Sequence, residues 1–237
     1  MNYDWIKTRS DYDEVKPAII DPAKGTQWSY QDLNIRAENL ANYLQDQGVK
    51  RGDVIGVFAP NDVAVFDLLF ASFKLGSVFL PMNWRLKPQE IQSVIADSGV
   101  KMIFYSLRHK ESLTGTPEEI LHMDIDSAEY DEICNPKSHR PFESVDVESD
   151  DLASLMYTSG TTGLPKGVMF TYESFVSNVI NAALTYKVTG DQTTIISTPT
   201  FHVLGLNDTA LPLIMAGGTL VLHRYFDGAQ LNDLMSQ

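Results

Sequence analysis

Short apolar runs alternate with amphipathic stretches along most of the chain, which predicts strands and helices in turn. Thr26-Gln27-Trp28-Ser29-Tyr30 reads as a short strand running into a helix, with Ser29 followed by Asp32 as a cap signature. Leu33, Ala37, Leu40, Ala41 and Leu44 then recur at helical spacing until Gly48 stops the helix. Val54 to Phe58 is a compact strand after the turn Arg51-Gly52-Asp53. Asn61 is placed to cap a helix whose inner face is Val65, Leu68, Leu69, Ser72 and Phe73, and Gly76 ends it. The stripe Phe58, Phe66, Phe70 and Phe73 reads as core. Val78 to Leu80 is the next strand, Pro88 opens a helix through Ala96 that Ser98-Gly99 closes, and Met102 to Tyr105 is a further strand.

The pattern resumes with a buried strand at Leu152 to Met156, a helix from Tyr172 to Tyr186 and a strand at Thr193 to Ser197. A helix over Leu206 to Met215 follows, and Gly217-Gly218 turns into a strand at Thr219 to Leu222. Strands alternating with helices through short connections predict an α/β fold of parallel-rich sheets flanked by helices. The stretch from Arg108 to Asp151 breaks the pattern. It is interrupted by Pro117, Pro136 and Pro141 and carries Glu143, Asp146, Glu148, Asp150 and Asp151, so it reads as a solvated connector rather than a metal site. The expected organisation is an N-terminal α/β subdomain over 1–107, an acidic connector over 108–150 and the start of a second α/β subdomain over 151–237.

Composition narrows the function classes. The 237 residues hold one large or two small domains, and 43 % apolar with 21 % charged residues is ordinary for a soluble globular protein. A formal net charge of −13 disfavours nucleic acid as a partner, so any anion-binding field has to be local. Cys134 is the only cysteine, which rules out a disulfide framework within the chain and reads as an unremarkable loop thiol. Met1 to Asp13 is charged and lacks the apolar core of a secretory signal. No apolar run reaches the roughly 18 residues of a membrane span. A cytoplasmic location is the expectation, with peripheral membrane contact left open.

The candidate chemistry lies in Tyr157-Thr158-Ser159-Gly160-Thr161-Thr162-Gly163-Leu164-Pro165-Lys166-Gly167-Val168, directly after a buried strand. By composition alone such a segment reads as a polar turn. Its glycines let backbone N–H groups approach phosphate oxygens, its hydroxyls donate hydrogen bonds, and Lys166 adds a mobile positive charge. The spacing differs from the common nucleotide P-loop, because Lys166 follows a proline and precedes a glycine.

All twelve of these positions resemble, without a gap, the phosphate-loop signature of the adenylate-forming superfamily of acyl-CoA synthetases, aryl-CoA ligases, luciferases and peptide-synthetase adenylation domains. Trp28-Ser29-Tyr30, Gly48 to Asp53, Leu75 to Val78 and Pro81-Met82-Asn83-Trp84-Arg85-Leu86 are similar to its other N-terminal motifs. The resemblance runs from about residue 15 to 237 and implies the N-terminal part of the large domain of that fold. It implies that Thr158, Ser159, Gly160, Thr161, Thr162, Gly163 and Lys166 hold the β- and γ-phosphates of ATP, and that Thr161, or its neighbour Thr162, helps place Mg²⁺. Arg85 reads as a scaffold arginine that the resemblance brings near the site.

Pro199 to Leu206 resembles the motif that lines the acid pocket, and implies that Phe201, His202 and Gly205 border the substrate carboxylate. Amino-acid-activating members typically carry Asp where this chain has His202, so an uncharged acyl or aryl tail is expected. The implied reaction is ATP-dependent activation of a carboxylic acid, a fatty acid in the first instance, to acyl-adenylate and then acyl-CoA, with coenzyme A as co-substrate. Members run to about twice this length. The adenine-stacking Tyr-Gly-x-Thr-Glu motif, the ribose-binding acid and the small C-terminal domain have no counterpart here, and the catalytic lysine is expected beyond Gln237. The fragment is expected to be inactive alone. Aryl-acid CoA ligase chemistry is one alternative; a non-catalytic nucleotide-binding or partner-complemented half-enzyme is another. A homodimer is compatible with either.

Overall fold

A computed structural model describes residues 3–158 and 165–229. The chain opens with α1 (Trp5–Asp13), the hairpin β1 (Pro17–Asp21) and β2 (Thr26–Ser29), and α2 (Tyr30–Asp46). Then β3 (Val54–Phe58), α3 (Val63–Leu75), β4 (Val78–Pro81), α4 (Pro88–Ser98) and β5 (Met102–Tyr105) alternate as the apolar pattern predicts. The capping box is present: the Ser29 side chain accepts from Asp32 N, and Asp32 accepts from the Ser29 backbone. Gly76, at φ 70°, takes the left-handed conformation that ends α3.

The stretch 108–150, expected to have little structure of its own, is corrected by β6 (Leu121–Asp124), α5 (Ala128–Ile133) and a 3₁₀ turn at Leu107–Leu113. These elements bury few side chains each: Leu113, Met123 and Tyr130 are buried while most neighbours face solvent. So short a buried stripe leaves no periodicity to see among the prolines and acids. Cys134 lies in the turn that ends α5, outside helix and strand as expected, but it is fully buried, and burial, followed by the charge of Asp67, pushes its thiol well above the ordinary range.

The remaining elements are β7 (Leu152–Thr158), β8 (Lys166–Thr171), α6 (Tyr172–Thr185), β9 (Thr193–Ile196), α7 (Val203–Gly205), a π turn at Leu206–Ala210, α8 (Leu211–Ala216) and β10 (Thr219–Leu222). The helix expected over Leu206 to Met215 is present within one uninterrupted helical run over 203–216, but its first five residues take the wider π register. Pro212 has no N–H to donate and its ring crowds the carbonyl four residues back, so the π register ahead of it relieves the clash.

Ten strands form two sheets among the described residues, in the orders β2-β1-β10-β9 and β6-β5-β3-β4-β7-β8. Pairing is parallel except for β1 with β2 and β7 with β8. Each sheet takes strands from both the 1–107 and the 151–237 segments, so long crossovers tie the two segments together. Alternation along the six-stranded sheet sorts its side chains. Val57, Phe79 and Phe104 join a large core with α2, α3, α6 and the second sheet, whereas Phe58, Leu80 and Ile103 join a smaller one under α4.

All thirteen residues of α3 are buried, not only its expected inner face. Its two charged members, Asp67 and Lys74, are paired. Asp67 receives Arg36 Nε and Nη2 at 2.9 and 2.6 Å and the Tyr130 hydroxyl at 3.0 Å. Lys74 reaches Asp4 Oδ2 at 2.7 Å and Asn34 Oδ1 at 2.8 Å. Asn61 does not cap α3. Asp62 does, accepting from Ala64 N at 3.1 Å, because Asn61 is engaged across the sheets.

Candidate functional site

The strands β7 and β8 frame the glycine-rich segment. They pair antiparallel with Thr158 opposite Lys166 and Tyr157 opposite Gly167. Because β7 runs parallel to β4, Thr158 lies at the carboxyl end of the parallel strands, where ligand sites of open α/β sheets form. Thr158 and Lys166 are both exposed. Ser159, Gly160, Thr161, Thr162 and Gly163 lie outside the described residues. The Tyr157 hydroxyl donates to Asp97 Oδ2 at 2.6 Å and moors the neck of this hairpin to α4. Burial, then the hydrogen bond and charge of Asp97, raise the phenol well above its ordinary range, so it stays a donor. A Cβ at Gly167 would lie 3.1 Å from the Tyr157 ring, so glycine lets the ring cross the hairpin.

A second group of residues follows the carboxyl end of β9. The turn there is closed by His202 N donating to Pro199 O at 3.1 Å, and Leu206 N donates to His202 O at 3.0 Å. His202 is exposed, and its Nδ1 accepts from Leu204 N over a long 3.5 Å at the start of α7. Gly205 is buried against the same turn. A Cβ there would run into the Pro199 carbonyl, 2.8 Å from its carbon and 3.0 Å from Thr198 O.

Phe201 joins an aromatic cluster assembled from four strand ends. Trp84, beyond β4, meets Phe201 edge-on at 6.3 Å and Tyr225, beyond β10, at 5.7 Å, and lies 4.9 Å from His109, beyond β5. The Arg85 guanidinium sits 4.9 Å from the Trp84 ring centre and 5.8 Å from that of Phe201, while Arg108 lies 5.5 Å from that of Tyr225. Burial, helped by the charge of Arg108, lowers the His109 pKa, which favours the neutral imidazole. Arg85 is thus beside the predicted pocket motif. Tyr225 and Arg108 were not legible as site residues; the available signal was their position just past a strand's carboxyl end. The two groups, Thr158 with Lys166 and Phe201 with His202, share no hydrogen bond, ion pair or ring contact among the described residues.

Residues 7–236 match the family model described as AMP-binding enzyme. The chain belongs to the AMP-binding enzyme family. This AMP-binding chain is 34 % identical over 209 residues to a feruloyl-CoA synthase from an Amycolatopsis species, covering 88 % of this chain and 41 % of the relative. It is 30 % identical over 249 residues to the long-chain-fatty-acid–CoA ligase FadD13 of Mycobacterium tuberculosis, covering 99 % of this chain and 47 % of the relative. Among solved structures, it superposes on ATP-bound MatB from Rhodopseudomonas palustris with a TM-score of 0.87 at 25 % identity, covering all of this chain and 48 % of that one. It superposes on a Mycobacterium tuberculosis fatty acyl CoA synthetase with a TM-score of 0.88 at 28 % identity, covering 99 % of this chain and 47 % of that one. The chain therefore spans about half the length of the curated relatives it matches.

Among the described residues no group of three or more His, Cys, Asp or Glu is placed to hold a metal ion. No helix among them is long and apolar enough to cross a membrane.

Proposed function

We propose that this chain is the ATP- and acid-handling part of an AMP-forming acid–thiol ligase, which activates a carboxylic acid and passes it to coenzyme A. The observation that carries the reading is the position of the Tyr157–Val168 motif, with its described ends Thr158 and Lys166 paired at the mouth of a hairpin on the carboxyl edge of the parallel strands. In the first half-reaction a carboxylate oxygen attacks the α-phosphorus of ATP, and the bond to the bridging oxygen breaks as pyrophosphate leaves. In the second the CoA sulfur, losing its proton, attacks the acyl carbon, and AMP leaves as the thioester forms. Both steps depend mainly on positioning and charge neutralisation.

The proposed roles follow from residue type and place. Thr158 and the hydroxyls and glycines of 159–163 donate to the phosphate oxygens. Lys166, exposed at the loop's return, offsets charge on the leaving pyrophosphate and takes no proton. Mg²⁺, carried by the phosphates rather than by a carboxylate cage, would supply further charge neutralisation, with Thr161 as its protein contact. Phe201, His202 and Gly205 shape the end of the acid pocket.

A fatty acid is the first substrate proposed. The aromatic cluster of Trp84, Phe201 and Tyr225 favours an aryl acid as the second reading, since flat rings offer edge and face contacts to another ring. The test is acid-dependent exchange of radiolabelled pyrophosphate into ATP by the complete protein that carries this chain, run with fatty acids of graded length and with hydroxycinnamic acids. Exchange with one class supports that class; no exchange with any acid refutes the reading.

A further inference from the structure

Asn61 stands between β3 and α3, is 3 % exposed, and spends its whole side chain on the other sheet. Its Nδ2 group donates toward three carbonyls: Ile196 O at 3.3 Å, Thr198 O at 3.0 Å and His223 O at 3.1 Å. Its Oδ1 accepts from Thr200 N at 2.9 Å and from Thr200 Oγ1 at 3.1 Å. The partners fix the orientation of the amide, since carbonyls surround one end and donors the other. Four of the five bonds go to residues 196–200, which lead into Phe201 and His202. The fifth holds the start of the segment that carries Tyr225, and Asp62 reinforces it through an ion pair with Arg224.

We infer that Asn61 is a positioning residue for the acid side of the site, an inference that rests on the proposed function. Among the described residues the peptide Thr198–His202 has no strand partner past β9, so its backbone groups need another source of hydrogen bonds. The carboxamide supplies it, and its β3–α3 junction is held by a fully buried helix. The loop that presents Phe201 is thereby registered against the carboxyl end of β3, the strand paired with the β4 that precedes Trp84 and Arg85. A carboxylate at this position would retain the acceptor for Thr200 but turn oxygen lone pairs toward three carbonyls. An alanine would leave both sides without a partner.

The test uses Asn61→Asp and Asn61→Ala in the complete protein that carries this chain, with Tyr130→Phe as a control that loses a buried hydrogen bond to Asp67 elsewhere in the core. Steady-state pyrophosphate exchange gives KM for acid and for ATP separately, and hydrogen exchange by mass spectrometry reads the 197–202 peptide against an α2 peptide. The expected result for both Asn61 variants is a tenfold or larger rise in acid KM with ATP KM within twofold. In Asn61→Ala, protection should also be lost in 197–202 and kept in α2. Tyr130→Phe should leave both constants unchanged. An active wild type whose Asn61 variants keep the acid KM, or lose ATP and acid KM together, overturns the inference and leaves the proposed function standing. Unchanged protection of 197–202 in Asn61→Ala also overturns it. A wild type silent with every acid refutes the proposed function and takes the inference with it.

Discussion

Replacing Gly205 by alanine adds one methyl group where the fold has left no room. The new Cβ would sit 2.8 Å from the Pro199 carbonyl carbon and 3.0 Å from Thr198 O. Unstrained carbon contacts need about 3.5–4.0 Å, so something must withdraw by about 1 Å. The obstacle is the main chain of Thr198 and Pro199, with no flexible side-chain end to rotate away. Gly205 lies in a helical run in which Leu206 and Ala210 are fully buried. The turn Pro199–His202 is the softer partner, and its shift carries Phe201 and His202 with it. Overpacking of this kind costs about 1–3 kcal/mol of stability, and a displacement of ~1 Å at a reacting group is worth about 10²-fold in rate.

The expected outcome for Gly205→Ala is therefore a modest fall in melting temperature together with a loss of about 10²-fold in kcat/KM for the acid, with ATP KM little changed. Gly190→Ala is the matched control, because its Cβ would lie 2.6 Å from Ala216 O near the amino end of β9, away from the turn. It should lose stability without the kinetic loss. A Gly205→Ala protein that melts lower yet keeps its acid kcat/KM within threefold would refute the reasoning that this turn positions the acid.

Three other outcomes are expected. Lys166→Ala should slow adenylate formation much more than thioester formation from a supplied acyl-adenylate, measured as two half-reactions; equal slowing would remove Lys166 from the pyrophosphate side. Asp67→Ala strands the Arg36 guanidinium, which is 7 % exposed, and should cost about 3–5 kcal/mol in urea unfolding; a loss under ~1 kcal/mol would show that the helix interior rehydrates. Tyr30, Tyr130, Tyr157 and Tyr172 all have raised phenol pKa values, caused first by burial. The folded state then holds protons that the unfolded state releases above its tyrosine pKa of about 10, so stability should fall as pH rises past that point. Phenolate absorbance from the buried Tyr30, Tyr130 and Tyr172 should appear only with unfolding, and early ionisation of these three in the folded protein would contradict their burial.

Much of the fold was legible because local chemistry and tertiary role agree. Ser29 and Asp32 form the capping box that their spacing announces, Gly76 and Gly99 end helices at positive φ, and Met102–Tyr105 is the strand its apolar run predicts. What escaped detection depends on partners distant in sequence. Either residue of Asn61-Asp62 can cap a helix, and only the approach of β9 and β10 decides that Asp62 does so. The pairing of β1 with β10 and of β4 with β7 joins residues far apart in the chain, which no window of sequence contains. Elements such as β6 and α5 bury too few side chains to register a period. Of the candidate site, Phe201 and Arg85 were named and are found together, whereas the neighbouring Tyr225 carries no local mark.

The central claim is that the hairpin loop and the Phe201 turn serve acid activation by ATP. Pyrophosphate exchange into ATP by the complete protein that carries this chain, with MgATP present and acids supplied one class at a time, measures that step without needing coenzyme A. Exchange that appears only with acid, and that Lys166→Ala strongly slows, is the expected result. Exchange with no acid tested, or exchange indifferent to Lys166, would contradict the account.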